Sequence, residues 1–116
     1  MVVAHGDVFW ADFGEPTGSE PGFIRPVIIV QGNKLNASRL RTVVCVPLTG
    51  NLRRADAPGN VVLRAGTANL DRDSVANVSG IIAIDRALLG ERIGHLTSDT
   101  VDLILTGIDV VLGRYD

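Results

Sequence analysis

Cysteine is almost absent from this 116-residue sequence, in which Cys45 is the only one. A single cysteine excludes an intrachain disulfide framework and a zinc site built from several thiolates. Because Cys45 lies in the apolar run TVVCVPL, we interpret it as a small core residue, with a reactive thiol as the alternative.

Long apolar runs are absent as well. No stretch of eighteen or more apolar residues occurs, and the N-terminus MVVAHGDVFW lacks the basic region and cleavage site of a secretory signal. We therefore expect a cytoplasmic protein that does not enter a membrane. The length and the hydrophobic fraction of 46% predict one domain, residues 1–116, around a single core.

Lysine and aromatic residues are scarce. Lys34 is the only lysine, so the other ten of the eleven basic residues are arginines, and aromatics make up 4% of the chain. Arginine suits phosphate and base edges, but genomic base composition is the simpler explanation of the imbalance. With a formal net charge of −2, any binding of a polyanion must depend on a local basic patch.

Short strand patterns dominate the first eighty-odd residues. In GDVFWADF, alternation places Val8 and Trp10 on one face, and we assign Trp10 to the core or a dimer interface. Pro26 is expected at the start or edge of the second strand, and Pro47 is expected to end the third. The predicted strands are GDVFWADF, RPVIIVQG, RTVVCVPL, NVVLRA, SVANV and GIIAID, with RIGHL as an optional seventh.

The C-terminal stretch changes to a helical period. Thr97 or Ser98 can cap the start of the helix and Gly113 suits its end. The pattern predicts a mainly β fold (β plus α), a small curled sheet or barrel of five to seven strands with one C-terminal amphipathic helix. The apolar stripe of that helix is predicted to contain Val101, Ile104, Leu105, Ile108, Val111 and Leu112.

Standard signatures of enzyme chemistry are absent. His5 and His95 are the only histidines and neither has a carboxylate or cysteine at ligand spacing. The chain has no nucleophile elbow, no Walker loop and no dinucleotide fingerprint. We therefore expect no metal and no cofactor.

Polar residues instead gather where predicted strands begin or end, which is where small β folds build sites. Turn formation or capping explains most of them. Arg25 is different, because at the start of PVIIV its guanidinium must reach a rim or a carboxylate. A salt bridge to Glu20 or another neighbour and a ligand-binding role both remain open. The polar set is Ser19, Glu20, Arg25, Thr49, Asn51, Arg72, Asp73 and Ser74.

Four ordered segments resemble the MazF/PemK toxins of bacterial toxin–antitoxin systems. The segments are GDVFWADF, GSEPGFIRPVIIVQ, VPLTGN and LDRDSV, and a C-terminal helix follows them. The resemblance runs from about Gly6 to that helix. It implies an SH3-like or CcdB-like barrel, a homodimer, and a metal-independent endoribonuclease that cuts single-stranded RNA at a short sequence.

The resemblance also implies roles for particular residues. The catalytic pair falls on Arg25 and Thr49, and the chemistry is attack by the ribose 2′-hydroxyl on the adjacent phosphate. Ser19 and Glu20 match the loop over the RNA groove, and the family's "RDS" element matches Asp73 and Ser74, which we count, with Asn51, among the expected RNA-binding residues.

Two further expectations come from the residues themselves. Because arginine is protonated at neutral pH, our hypothesis is that Glu20, or a water it orients, helps to deprotonate the 2′-hydroxyl. We also expect Arg53, Arg54 and Arg72 to line the groove beside Arg25, and Phe23 to stack on a base.

Other functions remain open. A CcdB-like gyrase poison shares the barrel, although this chain ends LGRYD without the tryptophan-containing contact of that group. A non-catalytic SH3-like adaptor would need an aromatic groove, and a dimer with a decayed site is a further alternative. The resemblance implies a cognate antitoxin, for which we expect an acidic, partly disordered segment lying over the basic groove.

Overall fold

The computed structural model describes residues 2–15, residue 18 and residues 23–116. Within them the chain forms seven strands, two α-helices and several 3-10 turns, which bears out the mainly β prediction. The strands are β1 (Asp7–Asp12), β2 (Ile24–Ile29), β3 (Thr42–Thr49), β4 (Val61–Leu63), β5 (Ser74–Ala76), β6 (Ile82–Asp85) and β7 (Leu89–His95). The helices are α1 (Asn33–Asn36) and α2 (Ser98–Val111).

All strand pairs are antiparallel, in the order β4-β5-β3-β2-β1-β7, with β6 also paired to β3. β3 is the central strand, and it pairs with β2 as far as Pro47 and with β5 from Leu48 onward. The expectation that Pro47 ends this strand is therefore wrong. The Pro47 carbonyl still accepts a hydrogen bond from the Asn77 amide at 3.0 Å, so the proline costs the strand only a donor, at the point where β3 passes between its partners.

The sheet is buried on both faces. On one face Val8, Ile28 and Val46 pack in a cluster with the helix α2, and on the other Phe9 and Cys45 belong to a second cluster. This arrangement agrees with the alternation predicted for β1, since successive residues of a strand point to opposite faces.

Trp10 departs from that prediction. The residue is 38% exposed in the single chain, so its assignment to the core is wrong, and the alternative of a dimer interface stays a prediction. Trp10 lies opposite Pro26 of β2, between the buried residues Phe9 and Ala11, so its exposure belongs to its own face of the strand.

The helix α2 begins as predicted. The Thr97 hydroxyl accepts a hydrogen bond from the Thr100 amide at 3.3 Å, and Gly113 follows the helix with a φ of 79°, which glycine adopts without strain. Val111 and Leu112, predicted on the buried stripe, are 38% and 70% exposed, because the last turn extends past the packed sheet. No helix in the described part of the chain has the length and apolar character needed to cross a membrane.

Candidate active site

A cleft of about 250 Å³ opens where β1, β2, β3 and β5 come together. It brings together side chains that are far apart in sequence, including four of the predicted site residues. Its walls mix apolar surface with two arginines, one carboxylate and two hydroxyls. The lining residues are Trp10, Ile24, Arg25, Pro26, Leu48, Thr49, Gly50, Leu70, Asp71, Arg72 and Ser74.

Arg25 is the second residue of β2 and lies opposite Ala11 of β1. The strand becomes fully buried from Val27 onward, whereas Arg25 itself is half-buried. Arg25 therefore lies before the fully buried part of the strand and lines the cleft, because a charged group is costly to bury deeper along the same strand.

Thr49 is the last residue of β3 and pairs with Val75 of β5. Its Oγ1 accepts a hydrogen bond from the Asn51 amide at 3.1 Å. Since a hydroxyl has one proton to donate in addition to its acceptor sites, this contact orients Thr49 while leaving its O–H able to donate into the cleft.

Asn51 has a local structural role. Its side-chain oxygen accepts from the Arg53 amide at 3.2 Å and so caps the 3-10 turn Leu52–Asp56. Arg53 and Arg54 lie on this turn and are exposed. None of these three residues lines the cleft, so their contact with RNA stays a prediction.

Arg72 packs its guanidinium against the backbone of Gly50. A methyl group added at Gly50 would lie 3.1 Å from Cζ of Arg72 and 3.3 Å from Nη2, closer than nearly all real contacts of this kind. The glycine of the TGN turn therefore makes room for the guanidinium beside Thr49, a relation that no sequence pattern displays.

Ser74 and Asp73 are neighbours in sequence, but their side chains lie in different surroundings. Ser74 is buried at the cleft wall and its hydroxyl donates to the Arg72 carbonyl at 3.2 Å. Asp73 faces another loop, where it accepts from the Ala65 amide at 2.8 Å and pairs with Arg64 at 3.4 Å. Asp73 does not line the cleft, and its predicted role with RNA is untested.

Phe23 is 63% exposed and has a φ of 62°. Its carbonyl accepts from the Phe13 amide at 2.9 Å, which closes the base of the loop before β2. Its stacking on a base stays a prediction. Ser19 and Glu20 lie outside the described residues.

Sequence reasoning missed two cleft residues, Asp71 and Trp10. Asp71 and Asp73 flank Arg72 in LDRDS, and the sequence alone does not show that Asp71 is the one that lines the cleft. The position of Trp10 at the cleft wall depends on its pairing with Pro26 of β2, and that requires the strand register.

The histidines and the cysteine lie outside the cleft. His95 Nδ1 and Arg92 Nε contact Oδ1 of the buried Asp7 at 2.8 and 3.1 Å. Within the described ranges no group of three or more His, Cys, Asp or Glu side chains is placed to hold a metal ion. Burial raises the pKa of the Cys45 thiol to about 12, which supports its interpretation as a core residue.

The fold is that of the MazF toxins. MazF from Deinococcus radiodurans superposes with a TM-score of 0.81 at 21% identity, covering 97% of this chain and 98% of that one. A mycobacterial endoribonuclease solved in complex with its cognate antitoxin superposes with a TM-score of 0.77 at 26% identity, covering 96% and 95%.

The chain belongs to the family of PemK-like, MazF-like toxins of type II toxin–antitoxin systems, whose model matches residues 4–112. A curated relative, endoribonuclease MazF2 of Mycobacterium bovis, is 40% identical over 112 residues, covering 97% of this chain and 98% of the relative. The resemblance stated from the four sequence segments is thereby confirmed.

Proposed function

We propose that this chain cuts single-stranded RNA at a short sequence without a metal ion, with Arg25 and Thr49 as the catalytic pair. Endoribonuclease activity follows from its membership of the toxin family. The observation that carries the assignment of residues is their convergence, because Arg25, Thr49 and Arg72 line one cleft although they come from three parts of the chain.

The reaction balances without a co-reactant. The ribose 2′-oxygen loses its proton and forms a bond to the adjacent phosphorus, and the bond from phosphorus to the 5′-oxygen breaks. The leaving oxygen takes up a proton. The products are a 2′,3′-cyclic phosphate and a 5′-hydroxyl.

The residues of the cleft suit this chemistry. Negative charge develops on the phosphoryl oxygens in the transition state, and preorganised donors aimed there accelerate the reaction. Arg25 supplies a fixed positive charge and a planar fork of donors. Thr49 supplies a hydroxyl whose orientation is set by Asn51, and Arg72 adds a second cation.

A carboxylate is the better base for the 2′-hydroxyl, because the guanidinium is protonated at neutral pH. The proposal from sequence is Glu20, directly or through a water. Asp71 is a second candidate, since it is a carboxylate among the residues that line the cleft. Glu20→Gln and Asp71→Asn distinguish them, because only loss of the base removes the acidic limb of the pH–rate profile.

The arginines of the cleft also support the proposed partners. A local basic patch on a chain of net charge −2 suits RNA, and it suits an acidic antitoxin segment that would occupy the phosphate positions. The mycobacterial relative solved with its antitoxin supports such a partner. We further propose a homodimer acting on RNA in the cytoplasm.

The test is incubation of the purified protein with a long, mixed-sequence RNA in excess EDTA, with mapping of cut sites and end groups. Arg25→Ala and Thr49→Ala are compared with two matched controls, Arg39→Ala and Thr42→Ala. Thr42 begins the strand that Thr49 ends, and Arg39 lines a different cleft.

We expect discrete cuts with cyclic-phosphate ends for the wild type and both controls, and a loss of about 10²- to 10³-fold in the two cleft variants. No cuts by folded wild-type protein on several RNAs would contradict the proposal and favour a gyrase-binding or inactive toxin. Equal losses in Thr42→Ala and Thr49→Ala would contradict the residue assignment alone.

A further inference from the structure

A second cleft of about 240 Å³ adjoins the catalytic one. The two share Trp10, Pro26, Leu70 and Asp71, and the second extends towards β7 and the turn before Leu70. Its volume lies below the roughly 300–1,000 Å³ of pockets that take drug-sized ligands, so its size suits one planar group. Its other lining residues are Asn69, Glu91, Arg92 and Ile93.

Trp10 provides an aromatic surface at the boundary of the two clefts. It is 38% exposed in the single chain, and it is one of the residues that line both clefts. Gly90 of β7 lies beside it, and a methyl group there would be 3.6 Å from the Trp10 Cβ. Exposed aromatic faces that border a cationic groove are the usual stacking surfaces for single-stranded nucleic acid.

Asn69 is held in the second cleft by a strained turn. Both Ala68 and Asn69 have positive φ values, 48° and 63°, and such left-handed conformations persist only where the surroundings enforce them. Two contacts with β7 enforce them here. The Asn69 side-chain amide donates to the Ile93 carbonyl at 3.1 Å, and a side chain at Gly94 would collide with the Ala68 carbonyl.

This anchoring fixes the plane of the Asn69 carboxamide. With its nitrogen bonded to Ile93, the side-chain oxygen is an acceptor of fixed position. Asp71 and Glu91 add carboxylates, which only accept when ionised. Arg92, whose Nε bonds the buried Asp7 at 3.1 Å, adds positive charge to the same wall. The cleft is therefore rich in acceptors beside an aromatic face.

We propose that this second cleft binds one base of the RNA, stacked on Trp10, and selects a base with an exocyclic amino group. Adenine, cytosine and guanine present such a donor, and uracil does not. The base belongs to a nucleotide next to or near the scissile bond, because the two clefts share a wall. The inference rests on the proposed ribonuclease function.

The first test is a cleavage profile on a randomised RNA library. We expect one position of the recognition sequence to disfavour uracil in the wild type, and the preference to fall on the order of 10-fold in Asn69→Gly and Glu91→Gln. Asn69→Gly removes the side chain while glycine keeps the positive φ without strain. Asp102→Asn, an exposed acid of α2, is the charge-matched control and should keep the wild-type profile.

A second measurement separates this inference from the proposed function. The chain has one tryptophan, so its fluorescence reports binding at the wall that the two clefts share, and Asn69→Gly isolates the part that depends on the second cleft. The probes are single-stranded oligo(dA), oligo(dC) and oligo(dU), which lack the 2′-hydroxyl and cannot be cut by this chemistry. We expect stronger quenching by oligo(dA) and oligo(dC) than by oligo(dU), with the difference lost in Asn69→Gly.

The outcomes are distinguishable. Wild-type protein that fails to cut RNA but shows base-dependent quenching would defeat the ribonuclease and retain the base site. Discrete cuts with a profile unchanged in Asn69→Gly and Glu91→Gln would overturn the base site and leave the ribonuclease intact. Equal quenching by all three oligonucleotides would overturn it as well.

Discussion

The two ends of β3 carry similar residues in different surroundings. At the Thr49 end, Arg25 and Arg72 line a cleft of about 250 Å³. At the Thr42 end, Arg39, Arg41 and Arg86 line another of about 290 Å³. A count of arginines or of cavity volume would rank the Thr42 end above the Thr49 end.

The difference is what each guanidinium contacts. Arg86 donates from Nη1 to the Asn36 carbonyl at 2.9 Å and from Nη2 to the Leu35 carbonyl at 3.1 Å. It therefore satisfies the Asn36 carbonyl at the end of α1, where carbonyls lack a partner within the helix, and it adds a bond to the Leu35 carbonyl, which also accepts from the Ser38 amide and hydroxyl. Arg72 lies instead on a bare glycine backbone beside a hydroxyl. One end of β3 is thus tied to α1 by hydrogen bonds, and the other is the end at which we propose the catalytic site.

The largest expected effect comes from Arg25→Lys, which keeps the charge and removes the planar fork. If Arg25 stabilises the transition state with that fork, kcat/KM for a short RNA falls on the order of 10²-fold while the urea midpoint stays the same. Arg86→Lys is the matched change at the other end, and its cleavage rate per folded molecule should equal that of the wild type. Equal rate losses in both variants would erase the distinction between the two ends.

The next effect concerns stability. Arg86→Ala removes the donor to the part-buried Asn36 carbonyl, while the exposed Leu35 carbonyl keeps its bonds from the Ser38 amide and hydroxyl. One buried acceptor left unsatisfied costs about 1–3 kcal/mol. We expect the free energy of unfolding in urea to fall by that order. Arg39→Ala, an exposed arginine of the same cleft, is expected to change it little. A fall of the same size in Arg39→Ala would mean that charge and not the two hydrogen bonds matters at this end.

A smaller effect is expected from Gly50→Ala. The added methyl group would lie 3.1 Å from Cζ of Arg72, so the guanidinium must shift from its position in the cleft. We expect cleavage to fall several-fold, which corresponds to about 1 kcal/mol of transition-state stabilisation. Gly32→Ala is the control, since a methyl group there meets nothing within 4 Å. Wild-type kinetics in Gly50→Ala would show that the position of Arg72 is not critical.

Most strands and the C-terminal helix were predicted from the sequence, because strand and helix periods are local signals. The start of α2 at Thr97 and the position of Arg25 before the buried part of β2 both follow from residues that are neighbours in the chain. The course of β3 through Pro47 was not predicted, since it depends on the change of partner from β2 to β5.

Contacts between residues that are distant in the chain were not predicted either, because they also depend on how the strands pair. His95 was judged to lack a carboxylate at ligand spacing, yet its Nδ1 lies 2.8 Å from Asp7, 88 residues away. Gly50 makes room for the guanidinium of Arg72, although the two residues lie on different segments of the chain. Asn69 reaches β7 only because a strained turn carries it there. These relations depend on register, which a single sequence does not display.

The smallest effect at neutral pH is expected at Cys45, between the two ends of β3. Its thiol is fully buried, and burial raises its pKa from 9.0 to about 12. The native state therefore holds this proton more tightly than the unfolded chain. The resulting contribution to stability is complete below about pH 9 and is lost as the pH rises from 9 towards 12. Folded protein should react slowly with a thiol reagent at pH 8, and unfolded protein in urea should react at once.

Fast reaction of the folded chain would show that the centre of β3 opens. The clefts at the two ends of the strand could then no longer be treated as independent of each other.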